Sequence, residues 1–474
     1  MSEPTMNTVQ PSVASRMDRL PMTRTHRTAV AVVSLVLVFE LYEIYLVGVA
    51  ASVMTEQFHL RSSLLPPLLG SVFFGMFLGA ASIGRIADRV GRRGTITVSV
   101  GIYSLFALLG AMSPDPWTLI ATRFLAGLGI GAVPALVDTY LSDLVPPKQR
   151  GRYLAMALTV GYCGIPIAGF LGRWIVPTHP LGIAGWRWMF LIGALGALAV
   201  VVLRLTATES PRWLETMGRH EEAERLVERF EADARRANLP LPEPAPEPPQ
   251  VTDAGGNVRD LFRPPYLRRM GIMAVFHVLQ PFAAYGFGTL VPLILISKGY
   301  NVTHALLYTA LSYLGAPMGS ALSLLFVERV ERKHQLVLVG FGMAIFGIGF
   351  GYAGSPALIV VFGVCYTMTT YMLANAFHIY QAEIFPTHLR ATASSWVYSL
   401  SRLAGGAMPF VLVPVLDSQG ANALLAIIAV CIVVAVLTVG VLGPRTNGRV
   451  VGATLDPCDT SAADRGFAVS PGGE

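Results

Sequence analysis

Gly84-Arg-Ile-Ala-Asp-Arg-Val-Gly-Arg-Arg93 sets Asp88 among four arginines directly after an apolar run, and its charge pattern returns later in the chain. Asp88, Arg89, Arg92 and Arg93 align with Glu328, Arg329, Arg332 and Lys333, an offset of 240 residues from 88 to 328. Tyr140, Asp143, Pro146 and Arg150 align with Tyr380, Glu383, Pro386 and Arg390 at the same offset, from 140 to 380. One acidic-basic cluster repeats easily by chance. Two clusters in register at one offset mean that the chain is a duplication.

What is duplicated follows from the segments between these loops. Hydrophobic residues make up 53% of the chain and charged residues only 14%, far below the roughly 25% charged of a soluble domain. Apolar runs of about twenty residues, the length a bilayer core demands of a helix, occur twelve times, at 29–54, 64–84, 95–112, 117–142, 153–176, 187–205, 270–296, 304–327, 335–353, 356–382, 392–416 and 421–443. The expected fold is an all-α membrane protein of two six-helix bundles, at 29–206 and 270–443. A tail at 1–28 precedes them, a linker at 207–269 joins them and a tail at 444–474 follows.

Of the 35 Lys and Arg, all but Arg61, Arg123, Arg173, Arg187, Lys298 and Arg402 fall on the side of the termini and the linker. That asymmetry makes the linker side cytoplasmic in an inner (plasma) membrane. The linker carries a charged helix at 221–236, expected to lie solvated on the surface, and a Pro-rich run at 240–249. Net charge of +6 is spread over helix ends rather than gathered in a patch, so nucleic acid is not an expected partner. The four cysteines show no metal or disulfide spacing, no cofactor motif is present, and a monomer is expected.

The residues Gly84, Asp88, Arg89, Gly91, Arg92 and Arg93 match the signature loop G-x-x-x-D-R-x-G-R-K/R, and the chain resembles the major facilitator superfamily from Ala29 to Gly448. Tyr140–Gly151, Glu209-Ser-Pro-Arg-Trp-Leu214 and Gly443-Pro-Arg-Thr-Asn-Gly448 are similar to its sugar-porter and metabolite:proton symporter branches. The resemblance departs at Glu331 and Arg445, and sugar-porter patterns are missing from the fifth and seventh spans, which makes a hexose less expected. It implies parallel halves with a midplane site and alternating access. It also implies a cytoplasmic gate built from Gly84, Arg85, Asp88, Arg89, Gly91, Arg92, Arg93, Asp143, Arg150, Glu209 and Arg212, mirrored by Glu328, Arg329, Glu383 and Arg390.

Ionisable residues inside spans are costly and therefore functional candidates. Glu40 and Glu43 are three apart, share one face of the first helix, and lie roughly 17 to 21 Å in by helix rise. A desolvated carboxylate there can take up and release a proton in each cycle; the alternative is an acid permanently paired with an arginine. The pair resembles the acids on the first helix of aromatic-acid:proton symporters. Arg402, in the eleventh span, cannot shed its charge and its planar fork suits a carboxylate; a fixed pair with Glu40 or Glu43 is its alternative. Around that depth Tyr42, Tyr162, His277, Gln280, Tyr285, Asn375, His378, Trp396 and Tyr398 could orient a small planar ligand. Asp138 is a second-line proton relay, with His378 at the equivalent place in the repeat.

These readings converge on a secondary transporter moving a small metabolite, an organic and aromatic carboxylate, together with protons. A sugar or neutral-metabolite porter and a drug or metabolite exporter use the same scaffold, and a transport-inactive membrane receptor is the rival of another class. No nucleotide loop, metal cluster or nucleophile elbow supports an enzyme.

Overall fold

The structure, a computed structural model, describes residues 12–60, 63–244, 261–264, 266–326, 331–385 and 387–446. The expected linker run at 240–249 lies partly outside them, as do Asn447, Gly448 and Cys458.

In the first half α1 (Val13–Asp18) precedes α2 (Arg24–Gln57), α3 (Leu65–Val90), α4 (Arg92–Ala111), α5 (Pro116–Ile130), α6 (Val133–Leu144), α7 (Pro147–Gly161), α8 (Gly164–Ile175), α9 (Gly185–Ala194) and α10 (Gly196–Thr206). Two linker helices follow, α11 (Pro211–Thr216) and α12 (His220–Arg236). The second half comprises α13 (Tyr266–Ser297), α14 (Val302–Tyr313), α15 (Gly315–Phe326), α16 (Arg332–Tyr352), α17 (Pro356–Ile384) and α18 (Thr387–Leu442).

Several spans are broken helices, with α5–α6, α7–α8, α9–α10 and α14–α15 each crossing as one unit. Pro166, just past the α7–α8 break, has no amide to bond back to Tyr162. The 56 residues of α18 would run ~84 Å if straight, nearly three bilayer cores. It turns instead at Gly420, whose φ of +83° is a conformation that favours glycine, and so supplies two spans. Twelve spans in two six-helix bundles result.

The bundles meet most closely away from the linker face. Gly70 of α3 lies against Gly406 of α18 so tightly that a Cβ on Gly70 would sit 2.4 Å from the Gly406 carbonyl oxygen. Phe73 and Phe74 of α3 pack on Tyr285 and Phe410 of the second bundle at ring separations of 4.8 and 6.4 Å. Nearer the linker face, Asp138 of α6 and His378 of α17 are exposed. Each lies six residues from the linker-side end of its helix, or ~9 Å by helix rise. The space between the bundles therefore opens toward the linker.

The linker helix is not simply solvated. Ala223, Val227, Phe230 and Ala234 of α12 form a buried stripe, and Phe230 packs on His26 at the base of α2 with ring centroids 4.6 Å apart. Its buried Glu231 accepts from Arg16 Nε at 3.1 Å and Arg19 Nη2 at 2.6 Å. The sequence marks 221–236 as charged and solvated, and nothing in the tail that carries Arg16 and Arg19 marks it as the cover of an apolar side.

Candidate functional site

The two acids on α2 go to different places. Glu43 is fully buried inside the first bundle, where Arg123 of α5 donates to its carboxylate from Nη1 at 2.7 Å and to its carbonyl oxygen from Nη2 at 3.1 Å. The guanidinium also lies over the Phe190 ring, 5.2 Å from its centre. Tyr42, on the same side of α2, donates to the Met189 carbonyl at 2.8 Å and is likewise turned into the first bundle. The charge asymmetry sets Arg123 apart from the linker side, and a lone arginine in an apolar run is the signal that marks it as a partner for an intramembrane acid.

Glu40, one helical turn earlier, is 2% exposed and its Oε2 has no hydrogen-bond partner. It lies within electrostatic reach of Arg402 of α18, which is 3% exposed. Arg402 itself donates to the hydroxyls of Tyr285 (2.6 Å) and Tyr398, and stands over the Tyr398 ring at 4.6 Å from its centre. Among the described residues, no carboxylate stands in ion-pair range of Arg402. Its recorded partners are neutral oxygens that accept its N–H groups, which leaves both tyrosine O–H protons available to donate.

His277 shares Nε2 with the Gln381 amide oxygen at 2.6 Å and packs edge-on against Tyr398 at 6.4 Å, while His378 lies 6.1 Å from the same ring. Gln280 is buried on α13 between His277 and Tyr285. Asn375 is turned to Ser320 and Ser323 of α15, at 3.2 and 2.7 Å from their hydroxyls; Ser320 in turn meets Thr159 of the first bundle at 2.8 Å. Trp396 is 52% exposed on the outside of α18 and does not join the cluster.

The structure thus brings together Glu40, Tyr285, Tyr398 and Arg402, with His277 and His378 beside them, and leaves Tyr42, Glu43 and Trp396 elsewhere. It adds tyrosines that the sequence reading passed over: Tyr45 of α2 and Tyr371 of α17 share hydroxyls at 2.7 Å across the bundles, and Tyr371 packs on Tyr162 at 4.4 Å. A tyrosine in an apolar span carries no mark of whether it meets lipid, core or ligand, so spacing alone could not select these two.

The charged loops on the linker face repeat in space as they do in sequence. Arg92 Nε lies 3.8 Å from Asp143 Oδ2 and Arg332 Nε lies 3.5 Å from Glu383 Oε1, which are equivalent pairs at the 240-residue offset and each falls within one bundle. Gly91 has φ of +93°, and a Cβ there would meet the Glu209 carboxylate at 2.5 Å. That carboxylate accepts from the Arg93 and Ser210 amides, both at 3.0 Å, an anion at the N-terminus of α4 where the helix dipole favours one. Arg212 bonds the Asp143 carbonyl oxygen at 3.1 Å and pairs with Asp18. Arg89 is exposed and Arg150 half-buried. Gly84 lies within α3, while the side chains of Arg85, Asp88 and Arg390, together with Glu328 and Arg329, lie outside the described residues.

The family model described as Major Facilitator Superfamily matches residues 33–409. The niacin transporter NiaP of Acinetobacter baylyi is 27% identical over 438 residues, covering 92% of this chain and 98% of the relative. The gentisate transporter of Corynebacterium glutamicum is 28% identical over 376 residues, 78% of this chain and 77% of the relative. Among solved structures, a partially occluded inward open conformation of the xylose transporter XylE from E. coli superposes with a TM-score of 0.74 at 19% identity, covering 90% of this chain and 99% of that one. With its duplicated twelve-helix architecture, signature loop and family match, this chain belongs to the Major Facilitator Superfamily and is a membrane transporter of metabolites, not an enzyme.

Proposed function

We propose that this transporter carries a small aromatic carboxylate together with a proton, and that Arg402 reads the substrate's negative charge. The observation that carries the reading is a guanidinium 3% exposed whose recorded partners are two tyrosine hydroxyls. A buried cation without a counter-ion is costly, by several kcal/mol. An anionic ligand removes that cost, and the fork of Arg402 with the O–H groups of Tyr285 and Tyr398 offers a carboxylate several donors at once. Niacin and gentisate, named for two relatives, each join a carboxylate to an aromatic ring.

Glu40 supplies the coupling. A substrate carboxylate at Arg402 brings a second anion beside the first, and a proton on Glu40 relieves the repulsion. Substrate and proton therefore favour each other's binding, and by linkage the effect is reciprocal. Asp138 and His378, exposed on the linker side, give the proton a path to water. Glu43, held by Arg123, stands apart from this exchange. With the basic residues marking the linker face as cytoplasmic, the open side faces the cytoplasm, and the charged loops at the helix ends, paired within each bundle here, close it by meeting across when the bundles rock.

The test compares a carboxylate with its uncharged amide, niacin and nicotinamide, binding to purified protein by thermal shift, which reports ligands that bind the folded state. The carboxylate should stabilise the parent and the amide should not. Arg402→Gln should lose carboxylate binding by about a hundredfold, the loss of a charge-assisted contact worth a few kcal/mol. Equal binding of acid and amide, or an unchanged Arg402→Gln variant, sinks the reading.

A further inference from the structure

The tyrosines beside Arg402 are arranged for more than filling space. Tyr162 comes from the first bundle and Tyr371 from the second, and their rings lie 4.4 Å apart, tilted by 58°. Tyr162 is within electrostatic reach of Tyr398 and Tyr285, the two residues that hold Arg402. Tyr371 is within reach of Tyr285 as well. The ring pair and the charge reader therefore belong to one cluster.

Both rings are held by their surroundings. Tyr162 sits at the α7–α8 break, flanked by Gly161 and Gly164. A Cβ on Gly161 would be 2.6 Å from Leu37 Cβ, and one on Gly164 would be 2.1 Å from the Val38 carbonyl oxygen. The backbone around Tyr162 thus presses on α2 two to three residues before Glu40, which fixes where its ring points. Tyr371 is fixed from the other bundle by its hydroxyl, 2.7 Å from that of Tyr45. Two rings carried by separate bundles form a surface whose spacing depends on how the bundles sit.

We propose that Tyr162 and Tyr371 are specificity-determining residues that clamp the aromatic ring of a substrate whose carboxylate is held at Arg402. The clamp rests on the carboxylate reading above and adds the ring to it. Aromatic pairs favour offset or tilted contact at 4.5 to 7 Å between centres, so a substrate ring can replace the contact that each tyrosine makes with the other. An aliphatic acid keeps the bond to Arg402 but gains nothing from the rings. Because one wall belongs to each bundle, the clamp senses the ring only when both bundles close on it, and aromatic substrates should favour the occluded arrangement more than aliphatic ones.

The experiment measures binding of benzoate and of cyclohexanecarboxylate, acids of similar size with and without an aromatic ring, to the full-length protein. The parent should prefer benzoate. Tyr162→Leu and Tyr371→Leu should each lower benzoate affinity by roughly three- to tenfold, the worth of an aromatic contact, and leave cyclohexanecarboxylate within about twofold. Tyr162→Phe should restore the preference, since it returns the ring without the hydroxyl. Equal losses for both acids would make the tyrosines structural and overturn the clamp, as would leucine variants that keep the parent's preference. Neither result touches Arg402, whose failure shows separately as acid and amide binding alike.

Discussion

Glu40 and Glu43 stand one turn apart on the same helix, and each has an arginine near it, yet the two settings differ in kind. Glu43 and Arg123 are both 0% exposed, bonded directly at 2.7 Å and contained within one bundle. Glu40 and Arg402 come from opposite bundles and do not pair; the arginine is occupied by tyrosine hydroxyls, and the Glu40 carboxylate accepts no hydrogen bond among the described residues, whereas only Oε1 of Glu43 is left without one. A closed ion pair satisfies both charges and has little to offer a ligand. An acid and a base held near each other without pairing keep their demand for a counter-ion, and this demand is what a substrate and a proton can meet. On the function proposed above, the working charges are the ones the fold leaves without a direct counter-ion.

The largest expected effect breaks the closed pair. Glu43→Gln or Arg123→Gln alone should cost about 3–5 kcal/mol of stability, because each leaves its partner buried and uncompensated, whereas the double replacement Glu43→Leu with Arg123→Met should be close to neutral. Glu40→Gln should leave stability within about 1 kcal/mol of the parent. Unfolding in detergent followed by thermal or denaturant melting checks all four, and a Glu40→Gln protein as unstable as Glu43→Gln would erase the distinction.

A smaller effect sharpens the other side of the comparison. In proteoliposomes with an inward proton gradient, Glu40→Gln should still exchange substrate but no longer concentrate it, losing about tenfold accumulation per pH unit for one coupled proton. The same variant accumulating substrate as the parent does would move the coupling away from Glu40.

The smallest effect concerns a third buried acid, outside the membrane. Burial opposes ionisation of Glu231, but the hydrogen bonds from Arg16 and Arg19 outweigh it and hold its carboxyl below the ordinary glutamate range. A depressed folded-state value means that this anchorage is fully present above the ordinary range near ~4.3 and is lost as pH falls through the folded value. Hydrogen exchange in α12 should therefore be flat from pH 5 upward apart from intrinsic chemistry, and protection should fall only in stronger acid. Loss of protection already near neutrality would mean that the arginines do not hold the helix. Glu231 thus behaves as Glu43 does, an acid satisfied by arginine, and contrasts with Glu40 in the same way.

The charged loop at 84–93, its repeat 240 residues later and the twelve apolar runs were enough, from the sequence alone, to define a duplicated membrane bundle. Bilayer thickness fixes helix length and the cost of buried charge confines ionisable residues to loops, so both constraints leave periodic marks along the chain. The same cost flagged Glu40, Glu43 and Arg402 as residues needing a reason. Which acid meets which arginine was decided only in three dimensions. Arg123 reaches Glu43 because α5 packs beside α2 in one bundle, and Arg402 stays with Tyr285 and Tyr398 because α18 and α13 belong to the other. Tyr45 and Tyr371 were hidden for the same reason, and Tyr162 could be named a candidate but not given its partner: a tyrosine satisfies the apolar pattern whichever way it faces, and only the meeting of two bundles, a contact between residues more than two hundred apart, gives its ring and hydroxyl a partner.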